Sequence, residues 1–191
     1  MMRIPLVDPK ALTPFQRRIY EEEPVGRLAI FRLVAHAADV HPSFSTFTDH
    51  ILSSLTLASK DREIIILAVS HLEHGRYVWA QHVEASLEIG VTQAEINAIA
   101  EDRFGAAVFD TRHKALLAFV RQVVEAVRVD DYVFEAMSSF FNSGQIVEAI
   151  YVIGTYMMIL RLAEVAELEV DGVHGADVVR AAMNKRVAQE T

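Results

Sequence analysis

The chain contains no cysteine among its 191 residues. Disulfides, zinc–thiolate sites and thiol nucleophiles are therefore excluded. Positive charge is also scarce, because the net charge is −8 and the isoelectric point is near 5.4. Recognition of nucleic acid needs a basic face, so we expect no nucleic-acid partner.

Long uncharged segments are missing as well. A bilayer span needs about 18–20 apolar residues, and the nearest candidate, Ile146–Leu160, is shorter and contains Glu148. The first ten residues lack the apolar core of a signal peptide. We therefore expect a cytoplasmic protein without a membrane partner.

Apolar residues, in contrast, make up 52% of the chain. This surplus predicts either a large core or apolar faces buried between subunits. Helix signals recur along the sequence and strand signals do not, so we predict an all-α fold in a single domain over residues 1–191. The predicted helices are Thr13–Glu23, Arg27–Val40, Pro42–Leu57, Ser59–Gly75, Tyr77–Ile89, Thr92–Ala100, Thr111–Val127, Asp130–Phe141, Gln145–Ala166 and Ala176–Val187.

Three of these predictions depend on local signals. Ser59 is predicted to cap its helix, and Thr92 with Glu95 forms a predicted capping box. The run Ile64–Val69 is also compatible with a buried strand, but its position between a cap and a glycine favours a helix. Gln145–Ala166 is apolar on nearly all sides, which is typical of a helix buried on several sides.

The densest local chemistry lies in Arg62–His82, which reads REIIILAVSHLEHGRYVWAQH. This segment contains two acids, three histidines, a tyrosine and the only tryptophan of the chain. It is followed by Ala85 and by Gly90-Val-Thr-Gln-Ala-Glu-Ile96. In this order the pieces resemble the carboxymuconolactone decarboxylase/alkylhydroperoxidase D-like (AhpD-like) family, with a core match over about 55–101.

The resemblance implies a helical domain built around an antiparallel helix pair and a homo-oligomer, a trimer or hexamer, although composition alone is compatible with a dimer. The peroxidase branch of the family uses C-x-x-C-x-x-x-H with a glutamate twelve residues before the first cysteine. Aligned on His82, the two cysteines fall on Gly75 and Val78 and the glutamate falls on Glu63. Peroxide reduction by that route needs both sulfurs, so a peroxidase activity is not expected here.

The decarboxylase branch needs no thiol, and the resemblance therefore implies a cofactor-free lyase or isomerase acting on a small carboxylated cyclic compound of the lactone type. Loss of CO₂ leaves negative charge that must be delocalised and then protonated, and histidine suits that proton transfer. In this interpretation His82 is the acid and base and Glu63 orients it. Substrate-binding candidates are Tyr77, Trp79 and Tyr156, with Arg62 or Arg76 binding carboxylates at the pocket mouth.

Other interpretations of the same residues stay open. Glu63 suits the first turn of a helix through the helix dipole alone, and His82 is compatible with a plain core position. Trp79 and Tyr156 are also compatible with packing. A tight hairpin at Gly75 would leave Glu63 and His82 about 8 Å apart along the helix axis.

His71, Glu73 and His74 have the composition of a metal cluster, but H-L-E-H is not a known zinc spacing. We therefore expect no metal and no cofactor. Two further functions remain as alternatives to the lyase. One is a non-catalytic helical oligomer that binds a ligand or a protein, and the other is a peroxidase-related role that does not use thiols.

Overall fold

The computed structural model describes residues 2–170, 172 and 175–181, and these residues form helices without any strand. The all-α prediction is therefore confirmed. Two short 3-10 helices, Pro9–Ala11 and Pro24–Arg27, lie near the amino terminus. The α-helices are α1 Pro14–Glu22, α2 Ala29–Val34, α3 His41–Ser53, α4 Ser59–Leu72, α5 Arg76–Glu88, α6 Gln93–Ala100, α7 Thr111–Ala126, α8 Asp131–Ser138 and α9 Ser143–Val165.

Helix α4 is the centre of the core. Every residue from Asp61 to Ser70 is buried, and the side chains of Ile64–Val69 are fully enclosed. The run that was compatible with a strand is therefore a helix covered on all sides. Helices α5, α7 and α9 pack around α4, and α5 runs antiparallel to it after the short connection Glu73–Gly75.

An ion pair fastens α7 to the start of α4. The carboxylate of Asp61 is buried and accepts two hydrogen bonds from the Arg112 guanidinium, one of them 2.6 Å long. His113 Nε2 lies 3.3 Å from the same carboxylate. Because a buried charge is costly without a partner, these two residues fix where α7 begins relative to α4.

The amino-terminal third departs from the predicted helices. Instead of one helix over Arg27–Val40, the chain has α2 over Ala29–Val34, because Leu28 is extended and the residues after Val34 form turns. Helix α3 spans His41–Ser53 instead of the predicted Pro42–Leu57, and Pro42 lies in its first turn, where the missing N–H is tolerated.

The starts of α6 and α9 have side-chain caps, and the start of α4 does not. Thr92 and Glu95 form the predicted capping box. Ser59, in contrast, is the first residue of α4 and the cap is Ala58, which makes no side-chain hydrogen bond. Asn142 and Gln145 form a capping box that the prediction missed, so α9 begins two residues earlier than expected.

Helix α9 is buried on one side only, which corrects the prediction that it is buried on several sides. Its outer side exposes a row of mostly apolar residues: Val147, Ile150, Tyr151, Met158, Leu162 and Val165. By length and composition alone, α9 is long and apolar enough to cross a membrane. Its other side packs on α4 and α5 inside the core.

The predicted last helix, Ala176–Val187, is only partly covered by the structure. Residues 175–181 are helical. Residues 182–187 lie outside the described part of the chain.

Candidate active site

Helices α4 and α5 bring Glu63 and His82 into direct contact. His82 Nδ1 lies 2.7 Å from Glu63 Oε2, which is hydrogen-bond distance. The axial gap of about 8 Å applies to a tight hairpin at Gly75, whereas Glu73 and His74 lie outside α4 and form a looser connection that adds no helical rise. Measured from the helix ends, Glu63 and His82 lie about 14 Å and 9 Å along their helices, and their side chains span that difference.

The carboxylate of Glu63 is fully buried and has two partners. Arg62 Nε donates to Glu63 Oε1 at 3.2 Å, while Arg62 Nη1 donates to the Leu52 carbonyl at 2.6 Å. Burial alone would raise the pKa of Glu63, but the charges and hydrogen bonds of His82 and Arg62 outweigh burial and hold that pKa below its ordinary value. Glu63 is therefore an ionised acceptor that orients His82.

The other ring nitrogen of His82, Nε2, makes no hydrogen bond to any described residue. The His82 side chain is 14% exposed, so one edge of the imidazole is accessible. Tyr156 packs edge-on against it, with ring centroids 5.0 Å apart. Because Glu63 accepts from Nδ1–H, the neutral imidazole keeps its lone pair on Nε2.

The accessible edge of His82 borders a cavity of about 110 Å³. The walls are mainly aliphatic and aromatic side chains from α2, α3, α5, α9 and residues 175–179. None of the described lining residues is Lys, Arg, Asp or Glu. Polar groups reach it from His41, Ser45, Thr48, Tyr77, Gln81, His82 and Tyr156.

Tyr156 and Tyr77 both line this cavity, as predicted for pocket residues. Burial, with the negative charge of Glu63 adding to it, raises the pKa of the Tyr156 phenol far above its usual range, so the phenol stays a hydrogen-bond donor. The Tyr77 hydroxyl accepts a hydrogen bond from the Ile30 amide at 3.3 Å. Tyr77 thus positions the start of α2 over the cavity.

The prediction that Trp79 lines the pocket is wrong. Trp79 is half-buried and packs against the hydrophobic core, and it is absent from the described lining of the cavity. The reason is helical geometry, since Tyr77, Val78, Gln81 and His82 form the side of α5 that faces the cavity, and Trp79 lies about 130° around the helix from the middle of that side.

The predicted arginine at the pocket mouth is also wrong. Arg62 is buried behind Glu63, where it partners the carboxylate instead of facing the cavity. The Arg76 side chain is 80% exposed and pairs loosely with Glu164, at 3.9 Å, while its backbone amide donates to Glu164 at 2.9 Å. Arg76 therefore anchors the start of α5 to α9.

Two residues of the apparent metal cluster, His71 and Glu73, are paired with other side chains. His71 Nε2 lies 3.4 Å from Asp102, and Glu73 pairs with Arg161 at 2.7 Å. In the described part of the chain, no group of three or more potential ligands is placed to hold a metal ion.

Val78 and Gly75 occupy the two positions that align with the cysteines of the peroxidase branch. Val78 is buried and borders the cavity. Gly75, the residue before α5, lies so close to α9 that a Cβ atom there would lie 1.7 Å from the nearest Leu160 methyl carbon. A side chain at Gly75 therefore requires Leu160 to move.

One histidine of the lining was not among the predicted site residues. His41 lies between the predicted helices Arg27–Val40 and Pro42–Leu57, and it is 1% exposed and borders the same cavity as His82. No local sequence signal separates it from the other histidines, because its position depends on how α2 and α3 fold over α5.

The sequence and the fold were compared with those of known proteins. Residues 38–122 match the profile of the Carboxymuconolactone decarboxylase family. This match includes Glu63, His82 and His41. No curated protein sequence matches the chain.

Several solved structures share the fold at low identity. A peroxidase-related protein with an alkylhydroperoxidase AhpD core from Ralstonia eutropha JMP134 has a TM-score of 0.80, with 20% identity over 94% of this chain and 96% of that chain. A peroxidase-related protein from Silicibacter sp. TM1040 has a TM-score of 0.77, with 19% identity over 90% and 91%.

A third neighbour is a cysteine-to-alanine variant of the debrominase Bmp8 in complex with 2,3,4-tribromopyrrole. Its TM-score is 0.74, with 13% identity over 97% of this chain and 98% of that chain. The predicted resemblance is thereby confirmed: residues 38–122 carry the carboxymuconolactone decarboxylase family sequence on an AhpD-like helical fold, in a chain without cysteine.

Proposed function

We propose that this protein is a cofactor-free acid–base enzyme, a lyase or isomerase that acts on a small carboxylated cyclic compound of the lactone type. The observation that carries the proposal is the 2.7 Å contact between Glu63 and His82 Nδ1, which leaves Nε2 of His82 without a hydrogen bond to any described residue at the edge of an apolar cavity. A positioned imidazole with one free nitrogen is the arrangement that general acid–base catalysis needs.

The size of the cavity supports a ring-sized substrate. Its volume of about 110 Å³ is close to the roughly 150 Å³ of a dry engineered cavity that binds benzene. The debrominase with the same fold was solved with 2,3,4-tribromopyrrole, also a small flat ring. A monocyclic compound is therefore the class that we propose for this chain.

An imidazolium at His82 can attract a substrate carboxylate, the role that was expected of an arginine at the pocket mouth. The positive Arg62 cancels the negative Glu63, so an imidazolium at His82 is one net positive charge beside an apolar cavity. A substrate carboxylate would be attracted to that charge, because the low dielectric of the cavity strengthens the interaction. Binding of an anionic substrate would then favour the protonated form of His82 that the reaction requires.

The proposed decarboxylation uses these groups in order. The C–CO₂ bond breaks, its electron pair stays on the ring carbon and is delocalised towards the lactone carbonyl, and CO₂ leaves. The imidazolium of His82 then gives its Nε2 proton to the ring carbon. Tyr156, which stays protonated, is the donor placed beside His82 that can stabilise the developing oxyanion.

Turnover of carboxymuconolactone is the direct test. We expect CO₂ release by the wild-type protein, a loss of at least a hundredfold in kcat/KM for His82→Gln, and normal turnover for His50→Gln, an exposed histidine on α3. Unchanged turnover in His82→Gln would contradict the assignment of the acid–base group.

A second candidate function is binding of a small apolar compound without chemistry. It is favoured by the described lining of the cavity, which includes no Lys, Arg, Asp or Glu. Saturable binding of a ring compound, together with no turnover of any carboxylated lactone, would support this alternative.

We further propose that the protein is a homo-oligomer that buries the outer side of α9. The exposed residues Val147, Tyr151, Met158, Leu162 and Val165 follow the spacing of three and four residues that is typical of helix pairing. Together with exposed Val40 and Phe47, they form the kind of apolar patch that marks a protein interface. The family resemblance favours a trimer or hexamer, and pairing of α9 with its symmetry mate gives a dimeric contact.

Light scattering tests the assembly. We expect a mass that is a multiple of 21.4 kDa at micromolar concentration, and dissociation in the double variant Tyr151→Glu/Leu162→Glu. The control Tyr132→Glu changes an exposed aromatic residue on α8. A wild-type monomer would contradict the proposal.

A further inference from the structure

His41 is a buried histidine whose polar groups have no partner in the described part of the chain. It is the first residue of α3 and is 1% exposed. Neither Nδ1 nor Nε2 makes a hydrogen bond. The rings of Phe31 and Phe15 meet the imidazole edge-on, with centroids 4.7 Å and 6.4 Å away.

A buried imidazole without hydrogen bonds lowers the stability of the folded protein. Burial lowers the pKa of His41, so the ring is neutral and carries one N–H donor and one acceptor nitrogen. Buried polar groups are nearly always hydrogen-bonded, and aromatic contacts are a weak substitute. An aliphatic side chain of similar size in this apolar position would avoid the cost.

His41 borders the same cavity as His82 and Tyr156. The cavity therefore has polar side chains on two sides of a mainly apolar wall, Tyr77, Gln81, His82 and Tyr156 on α5 and α9 and His41, Ser45 and Thr48 on α3. A ligand with a single polar group can satisfy only one of these sides.

We propose that His41 is a specificity-determining residue: a turn of its ring brings one of its enclosed nitrogens to the cavity wall, where it hydrogen-bonds a second polar substituent, a hydroxyl or carbonyl oxygen, on the ring that the cavity binds. The inference rests on the proposed use of this cavity as the ligand site. The ligand class is thus a monocyclic compound with oxygen substituents at two positions, one at the His82–Tyr156 side and one at His41.

The test measures binding and not turnover. Calorimetry would give dissociation constants for phenol and for the three dihydroxybenzenes, catechol, resorcinol and hydroquinone. We expect at least one dihydroxybenzene to bind wild-type protein tenfold or more tightly than phenol. In His41→Leu this ratio should fall below threefold while the affinity for phenol is retained, and His50→Leu, the same change at an exposed position of α3, should keep the wild-type ratio.

Thermal unfolding of the ligand-free variants gives a second readout. Removal of an unpaired polar group should leave the melting temperature of His41→Leu equal to or above that of the wild type. An unchanged ratio in His41→Leu, no preference for any dihydroxybenzene in the wild type, or a melting temperature lowered by more than 5 °C would each overturn the proposal. Absence of lactone turnover bears only on the proposed function, because binding and turnover are measured separately.

Discussion

Replacement of Glu63 by glutamine is the perturbation that probes the dyad most sharply. The substitution keeps the size of the side chain and one oxygen acceptor, removes the negative charge and replaces the second acceptor oxygen with an NH2 donor. Arg62, whose side chain is 3% exposed, then remains as a buried positive charge without its counter-ion. Among the described residues, its one other hydrogen-bond acceptor is the Leu52 carbonyl.

The expected cost follows from this stranded charge. Removing one partner of a buried ion pair destabilises a protein by about 3–5 kcal/mol, and retention of an amide oxygen places Glu63→Gln near the lower end, at about 3 kcal/mol. That is a large share of a typical unfolding free energy of about 5–15 kcal/mol. Adding Arg62→Met removes the stranded charge, so the double variant should recover about 1–2 kcal/mol through coupling of the two sites.

Urea unfolding at pH 7, followed by circular dichroism at one protein concentration, measures these differences. Glu84→Gln changes an exposed glutamate on α5 and should stay within about 0.5 kcal/mol of the wild type. A cost below about 1 kcal/mol for Glu63→Gln, or a double variant as unstable as the sum of the single variants, would refute the buried-charge reasoning.

Three further outcomes follow from the structure. Burial would raise the pKa of Asp61, but hydrogen bonds and charges of His113 and Arg112 outweigh burial and hold that pKa below its ordinary value. The stability that this carboxylate contributes is therefore present above pH about 4 and is lost as the pH falls through the folded-state pKa. Unfolding free energy measured against pH should therefore fall more steeply below pH about 4 in the wild type than in Asp61→Asn. Gly26→Ala places a Cβ atom 2.3 Å from the Ile19 carbonyl oxygen and should cost about 1–3 kcal/mol, whereas Gly105→Ala, with no atom within 4 Å, should cost far less in the same urea assay. A peroxidase assay with a dithiol donor should show only background reduction of alkyl hydroperoxide, because the chain contains no sulfur nucleophile of the required kind, and robust turnover would contradict this.

Local signals predicted most of the fold. The capping box at Thr92 and the enclosed run Ile64–Val69 depend on nearby residues, and both predictions are confirmed. The region between Arg27 and Val40 was predicted less well, because its turns are set by how it covers α5 and not by its own periodicity. The apolar surplus predicted either a large core or apolar faces between subunits, and in the structure part of it fills the core while part lies exposed on the outer side of α9.

The site was predictable only where a family resemblance supplied the pairing. Residue types alone did not show that Glu63 touches His82, since nineteen positions separate them in the sequence. The Arg62 side chain is 3% exposed and the Arg76 side chain is 80% exposed, and this difference depends on which side of each helix faces the core. His41 could not be predicted, because its role depends on a cavity formed by several helices.

The central claim is that Glu63 holds His82 with its proton on Nδ1 and its lone pair on Nε2 facing the cavity. Nitrogen-15 NMR of the histidine side chains measures this directly, with His82 assigned by the signal that disappears in His82→Gln. We expect the neutral form of His82 to carry its proton on Nδ1, with Nε2 unprotonated. A neutral His82 protonated on Nε2 would contradict the account, because the carboxylate would then not orient the ring and no lone pair would face the substrate.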